Sequence, residues 1–249
     1  MNGSRAGSIR CSTVVLIYNE EENVQKQTEE ILSAYEECGL DGEILLVDDG
    51  SMDASGSICD ELAEKHAIVR ALHHSPNKGR SWAIETGFEN AKEDVIIILD
   101  GDRQYEPREI PKFLEKIDEG YDVVTGNRTD RIDNWIRRLI SDVYNKVIVQ
   151  WMLGLRVRDQ NSGFKALTKE AAIGMDFRPD SYLGLHRFIL PLANVKGYSI
   201  AEIDIKHYAR VGGKSYIKSY TVVFITLRDF IRFWREHGRK PARRTARQS

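Results

Sequence analysis

Short apolar runs that stop on acidic or amide residues recur through the first half of the chain. Thr13 to Ile17 ends at Tyr18-Asn19-Glu20, Glu43 to Val47 ends at Asp48-Asp49-Gly50-Ser51, and Val95 to Leu99 ends at Asp100-Gly101-Asp102. Runs of this length bounded by turn residues read as buried strands. Between the first two, residues 20 to 37 place Val24, Ile31, Leu32 and Tyr35 at near-helical spacing. The pattern then repeats, with a helix near 54 to 65, a strand near 67 to 72 and a helix from 80 to 91. Further on, Tyr121 to Thr125 reads as a strand and residues 134 to 153 as an amphipathic helix. Tyr198 to His207 reads as a strand in which Ala201, Ile203 and Ile205 alternate. Strands and helices alternating at these lengths predict an α/β fold, a mostly parallel sheet with helices on both faces. Ligands of such sheets bind at the carboxyl ends of the strands. The three acidic clusters therefore belong to one site.

The two ends of the chain have a different character. Residues 1 to 10 are polar and rich in Gly and Ser and read as a loose tail, leaving residues 11 to 218 as one domain. From 219 to 249, Val222, Phe224, Ile225, Phe230, Ile231, Phe233 and Trp234 interleave with Arg228, Arg232 and Arg235. A basic tail follows, with Arg239, Lys240, Arg243, Arg244 and Arg247. An amphipathic helix of this kind can lie on an anionic bilayer, each basic residue contributing about 1 kcal/mol. It can equally pack on the domain or on a partner helix.

No stretch approaches the 18 or so consecutive apolar residues of a membrane span, and the first residues lack the apolar core of a signal peptide. The expectation is a cytoplasmic protein whose membrane contact is peripheral. A net charge of -2 over 249 residues gives no general attraction to nucleic acid. Cys11, Cys38 and Cys59 are odd in number and lack metal-ligand spacing, which suits plain thiols in a reducing compartment.

The segment Val95 to Gln104 carries the most chemistry. A buried strand that ends on two carboxylates needs a positive partner to offset their desolvation. Carboxylate and amide oxygens suit Mg²⁺ or Mn²⁺, and such an ion would also bind a diphosphate. The plain alternative is a solvated strand exit. Asp48-Asp49-Gly50-Ser51 reads either as an ordinary turn or as a turn whose carboxylates face a base or ribose.

Taken in order, these motifs resemble glycosyltransferase family 2, a GT-A fold, in its dolichol-phosphate mannose synthase-like branch. The resemblance runs from about residue 12 to 218. Val15 to Asn23 is similar to the family's opening strand and turn, with Ile17 where proline is usual. Asp48-Asp49-Gly50-Ser51 resembles its nucleotide-contacting turn. Asn77-Lys78-Gly79, with Ala83 and Gly87, resembles the segment before its metal strand. Asp100-Gly101-Asp102 with Gln104 resembles its DxD-x-Q metal motif, in which the second Asp and the Gln are ligands. The resemblance implies donor binding by Tyr18, Asn19, Glu20, Asp48, Asp49, Lys78 and Asp100, and metal binding by Asp100, Asp102 and Gln104.

The second half of the resemblance implies the acceptor. Gly126-Asn127-Arg128 is similar to the family's Gly-x-Arg strand end, and Arg137 with Ser141 to its Arg-x-x-x-Ser element. Arg210 to Ser215, with Lys214 and with Tyr216 in place of the usual lysine, resembles a segment near the active-site mouth. Asp159 to Lys165 and Leu185-His186-Arg187-Phe188 also resemble this branch. The implied catalytic set is Asp102, Arg128, Arg137, Ser141, Arg210 and Lys214, with His186 and Ser215 as further site residues. Each of these arginines has a plain alternative as a solvated surface cation, and for Arg138 that alternative is preferred.

The resemblance implies metal-dependent, inverting transfer of a sugar from a UDP- or GDP-linked donor to a polyprenyl phosphate. A membrane-protein partner is compatible with it. A phosphate acceptor is largely ionised near neutral pH, since its second pKa is about 6, so it needs arginines to hold it more than a base to activate it. The rivals are a transferase with a hydroxyl acceptor and a weakly catalytic subunit of a membrane complex.

Overall fold

The computed structural model describes residues 10–129, 154, 155, 157–182, 184–210 and 227–238, and the backbone of 220–226 and 245–247. Among them an eight-stranded sheet has the order β3-β2-β1-β4-β6-β5-β7-β8. The strands are β1 (Arg10–Ile17), β2 (Asp41–Asp48), β3 (Val69–His73), β4 (Val95–Asp100), β5 (Val123–Arg128), β6 (Lys165–Thr168), β7 (Ile200–Ile205) and β8 (Thr245–Arg247). All pairings are parallel except those of β6, which runs against both β4 and β5.

Because β1 is paired on both edges and covered on both faces, Cys11 to Ile17 are all buried. The alternation of the strands sorts their apolar side chains onto two cores. Val14, Leu16, Leu45, Val47, Ile96 and Ile98 pack with α3 (Arg80–Asn90), α5 (Lys169–Gly174), α6 (Ile189–Lys196) and α7 (Tyr220–His237). Val15, Ile17, Ile44, Leu46, Ile97 and Leu99 pack with α1 (Val24–Cys38), α2 (Ser55–Lys65) and α4 (Ile110–Asp118).

The expected amphipathic C-terminal segment contains α7, and part of its apolar face is already used by the domain. Phe230 and Phe233 are fully buried, with ring centroids 4.3 and 5.1 Å from that of Phe188. Leu227 and Trp234 remain exposed beside the arginines. Since Phe230 completes one of the two cores, Phe230→Ala should lower unfolding stability by about 3–5 kcal/mol in a urea titration. A loss under 1 kcal/mol, the size of a surface change, would mean that α7 is not part of the folded unit.

No helix among the described residues is long and apolar enough to cross a membrane. The three cysteines are free thiols, two of them buried. The helix expected over 134 to 153 lies outside the described residues.

Candidate active site

The carboxyl ends of β1, β2 and β4 lie side by side, because Ile17 is in register with Asp48 and Leu16 with Asp100. The turns that follow are stitched together by their own polar groups. The Asn19 amide donates to Ser51 Oγ at 2.8 Å, and the Met52 amide donates to Asn19 Oδ1 at 2.8 Å. The Glu20 amide donates to Ser55 Oγ at 2.8 Å.

Asp48 and Asp49 are buried and their carboxylates are occupied inside the protein. Asp48 accepts from the Ser51 amide at 3.0 Å and pairs with His73 Nδ1 at 3.0 Å. Asp49 accepts from Asn77 Nδ2 at 2.8 Å and from the amides of Lys78 and Gly79 at 3.0 and 2.9 Å, and it pairs with His74 Nδ1 at 2.7 Å. Asp49 thus holds the Asn77-Lys78-Gly79 turn that leads into α3, a role with no local sequence signature. Lys78 itself reaches over the ring of the partly exposed Trp82, 5.9 Å from its centroid.

Asp100 sits where three elements meet. Its Oδ1 accepts from Arg80 Nη2 at 2.5 Å. Gly163 packs behind it so closely that a Cβ there would lie 1.9 Å from Asp100 Oδ2. Gly101 similarly stays tight on β1, its amide donating to Leu16 O at 3.0 Å.

Asp102 lies beyond this turn. Burial, then the neighbouring Asp100 charge, pushes its carboxyl up to about 7, with Arg210 opposing the shift. Glu20 is also pushed up by burial, although a hydrogen bond from Asn23 and the charge of Arg210 offset part of this. The Arg210 guanidinium pairs directly with Glu20.

Gln104 is held through its nitrogen, Nε2 donating to the Tyr208 carbonyl at 3.0 Å, while the Tyr208 amide donates to the Gln104 carbonyl at 2.9 Å. This leaves Gln104 Oε1 without a partner among the described residues.

The acceptor-side residues are only partly described. Arg128, at the end of β5, is gripped by both oxygens of Asp159, at 2.6 and 3.0 Å. Arg137, Ser141, Lys214 and Ser215 lie outside the described residues. His186 is half-buried, its backbone amide donating to Ser81 Oγ at 3.1 Å. Burial, followed by the charges of Arg80, Arg187 and Lys165, holds its imidazole well below the usual histidine range. Its backbone bond to Ser81 ties α3 to the 3-10 turn Leu185–Phe188.

Sequence reasoning gave no role to Arg80 or Lys165. A basic residue at the first position of a helix that follows Gly79 is a weak signal, and Lys165 enters only as the last residue of the stretch Asp159 to Lys165 that resembles the branch. Lys165 is fully buried, and its ammonium donates to the Ser162 carbonyl. Burial pulls it from 10.5 down to about 7, with Asp159 opposing and Arg80 and Arg128 adding to the shift. The folded protein therefore binds less proton than the unfolded chain between those two values. Stability contributed by this group is complete above the unfolded value and lost as pH falls toward about 7. The melting-temperature difference between wild type and Lys165→Met should accordingly move in favour of wild type as pH is raised from about 7 to 9. A difference independent of pH would show that Lys165 is solvated.

Residues 12–190 match the model of glycosyl transferase family 2. The chain belongs to that family. This family 2 chain is 36% identical over 212 residues to an undecaprenyl-phosphate 4-deoxy-4-formamido-L-arabinose transferase of Enterobacter sp. (strain 638). The alignment covers 83% of the chain but only 62% of that relative's length. Among solved structures, mannosyl-3-phosphoglycerate synthase from Rubrobacter xylanophilus superimposes with a TM-score of 0.70 at 16% identity, covering 92% of the chain and 75% of that protein. Glucosyl-3-phosphoglycerate synthase from Mycobacterium tuberculosis, in complex with Mn²⁺, UDP and phosphoglyceric acid, gives 0.67 at 18% identity, covering 96% and 81%. These two likenesses establish the fold of the family 2 chain, the GT-A-like mixed sheet with helices on both faces.

Proposed function

We propose that this glycosyltransferase moves a sugar from a UDP- or GDP-linked donor to a polyprenyl phosphate, with Mg²⁺ or Mn²⁺ held at Asp102, Gln104 and Asp100. The observation that carries the reading is the charge arrangement at the end of β4. Two carboxylates close enough to push one of them up to about 7 precede Gln104, whose Oε1 has no partner among the described residues; Arg80 pairs with Asp100, and the charges of Arg128 and Arg210 act on the same two acids. Hard oxygen donors of this kind suit an octahedral divalent ion.

Among the described residues no three His, Cys, Asp or Glu side chains converge as a metal cage. A metal here would complete its shell with diphosphate oxygens and water, the usual habit of Mg²⁺ beside one or two carboxylates. Such an ion would supply Lewis-acid stabilisation of a departing nucleoside diphosphate. The solved relative that holds Mn²⁺ and UDP supports the same chemistry.

A polyprenyl phosphate is favoured as acceptor by the name of the 36%-identical relative and by the cations on this side of the site. Arg128 and Arg210 are held in place by Asp159 and Glu20, so they meet a phosphate already oriented. Arg137, Ser141, Lys214 and Ser215 complete the proposed phosphate contacts. His186 packs behind the donor side, and Tyr18, Asn19, Glu20, Asp48, Asp49 and Lys78 shape the nucleotide end. The direct attack of an ionised phosphate oxygen on the anomeric carbon inverts that centre. The exposed side of α7, with Leu227, Trp234 and Arg228, rests on the cytoplasmic membrane surface where the lipid resides.

Transfer of radiolabelled sugar from a panel of UDP- and GDP-sugars into organic-extractable lipid, with polyprenyl phosphate and Mn²⁺ or Mg²⁺, tests the reading. Metal-dependent lipid labelling by wild type is the expected result. Nucleotide-sugar hydrolysis without lipid labelling would preserve the donor and metal site and overturn the acceptor.

A further inference from the structure

The Arg80 guanidinium is committed to a single described contact, Nη2 to Asp100 Oδ1 at 2.5 Å. Its Nε and Nη1 have no partner among the described residues, and its side chain is 39% exposed while that of Asp100 is 19% exposed. Arg80 is the first residue of α3, and Asn77-Lys78-Gly79 before it is clamped by four contacts to the Asp49 carboxylate. Its Cα is therefore fixed while the long side chain can still turn. Asp100 is fixed as well, with Gly163 against its back.

A guanidinium with an unused edge, anchored beside a carboxylate pair, can do two things. It can neutralise Asp100 directly, or it can present its fork to an anionic oxygen brought to the same place. Arg80 and a divalent cation are both attracted to Asp100, and two positive charges a few ångströms apart repel each other. A diphosphate that arrives with a cation carries the negative charge to which the displaced arginine can turn.

Resting on the metal reading above, we infer that Arg80 is an exchangeable counter-ion. It occupies Asp100 in the metal-free protein, yields it to the divalent ion, and then binds the diphosphate of the donor. The partner class is a nucleoside diphosphate, and the device makes metal and donor binding mutually supportive. A purely structural ion pair would instead orient Asp100, and its loss would weaken metal binding.

These alternatives predict opposite signs. Mn²⁺ binding followed by electron paramagnetic resonance of the free ion, without nucleotide, should show Arg80→Gln binding about three- to tenfold tighter than wild type. UDP or GDP binding followed by calorimetry at saturating Mn²⁺ should be about tenfold weaker in that variant. Arg80→Lys, which keeps the charge but not the fork, should bind Mn²⁺ like wild type and nucleotide weakly. An Arg80→Gln affinity for Mn²⁺ equal to or below that of wild type overturns the inference, as does nucleotide binding at saturating Mn²⁺ that the variant retains in full. The control is Asp102→Asn. If it loses Mn²⁺ while Arg80→Gln is unchanged, the metal site stands and the exchange falls; if it binds Mn²⁺ like wild type, both fall.

Discussion

Asp102→Asn is expected to lower metal-dependent sugar transfer by about 10²- to 10³-fold, the scale on which removal of one preorganised electrostatic contact acts. The substitution is nearly isosteric, so packing around the turn should survive. The carboxylate is already hard to ionise, because burial and the adjacent Asp100 both resist a second negative charge there. An asparagine relieves that strain and should leave the folded protein at least as stable as wild type. Lost activity with retained or raised melting temperature, read from initial rates and a thermal melt on the same preparation, identifies Asp102 as functional. Activity within a few-fold of wild type would remove it from the site.

The second large effect is expected at a residue with no side chain. In Gly163→Ala the new methyl would lie 1.9 Å from Asp100 Oδ2, so something must move. The Gly163 amide donates to the buried Tyr105 hydroxyl at 2.8 Å, which resists retreat of the backbone. Asp100 must then give way, breaking its contact with Arg80. Overpacking of this kind costs about 1–3 kcal/mol, and the displaced carboxylate should cost activity as well. The check is a urea titration combined with Mn²⁺ affinity. Stability lost with metal affinity intact would show that the loop moves instead of the aspartate.

The sequence patterns that proved legible are those set by local chemistry. Buried runs such as Val95 to Leu99 end where carboxylates end them, and β1, β2 and β4 appear within a few residues of the expected bounds. The helix α4 was equally legible, with Ile110, Phe113 and Leu114 on one side, but it was not among the expected elements. The strand β6 was not legible. It has four residues, opens on a lysine, and its antiparallel direction is fixed by pairing with β4 and β5, which no local signal reports.

Within the site, the carboxyl-end acids were readable because a strand rarely ends on two of them without cause. Their partners were not. Asp49 meets residues 28 to 30 positions away, and Asp100 meets Arg80 and Gly163 only through the fold. Arg128 was named through the resemblance of Gly126-Asn127-Arg128 to a family motif, whereas the bidentate hold of Asp159 on it depends on the turn before β6.

The reversal of β6 has an evolutionary consequence. A parallel strand delivers the chain to the reactive edge and must then carry it away, but β5 ends at Arg128 on that edge and β6 begins at Lys165 on the same edge. The two strands that bound this stretch are neighbours in the sheet, roughly 4.8 Å apart. Closing such an excursion becomes only slowly harder as it lengthens, by about 0.6 kcal/mol per doubling. The part of this stretch before Leu155 can thus be lengthened or rewritten, while residues 157–164, which hold Arg128 and back Asp100, keep the register of the sheet and the acidic edge as they are.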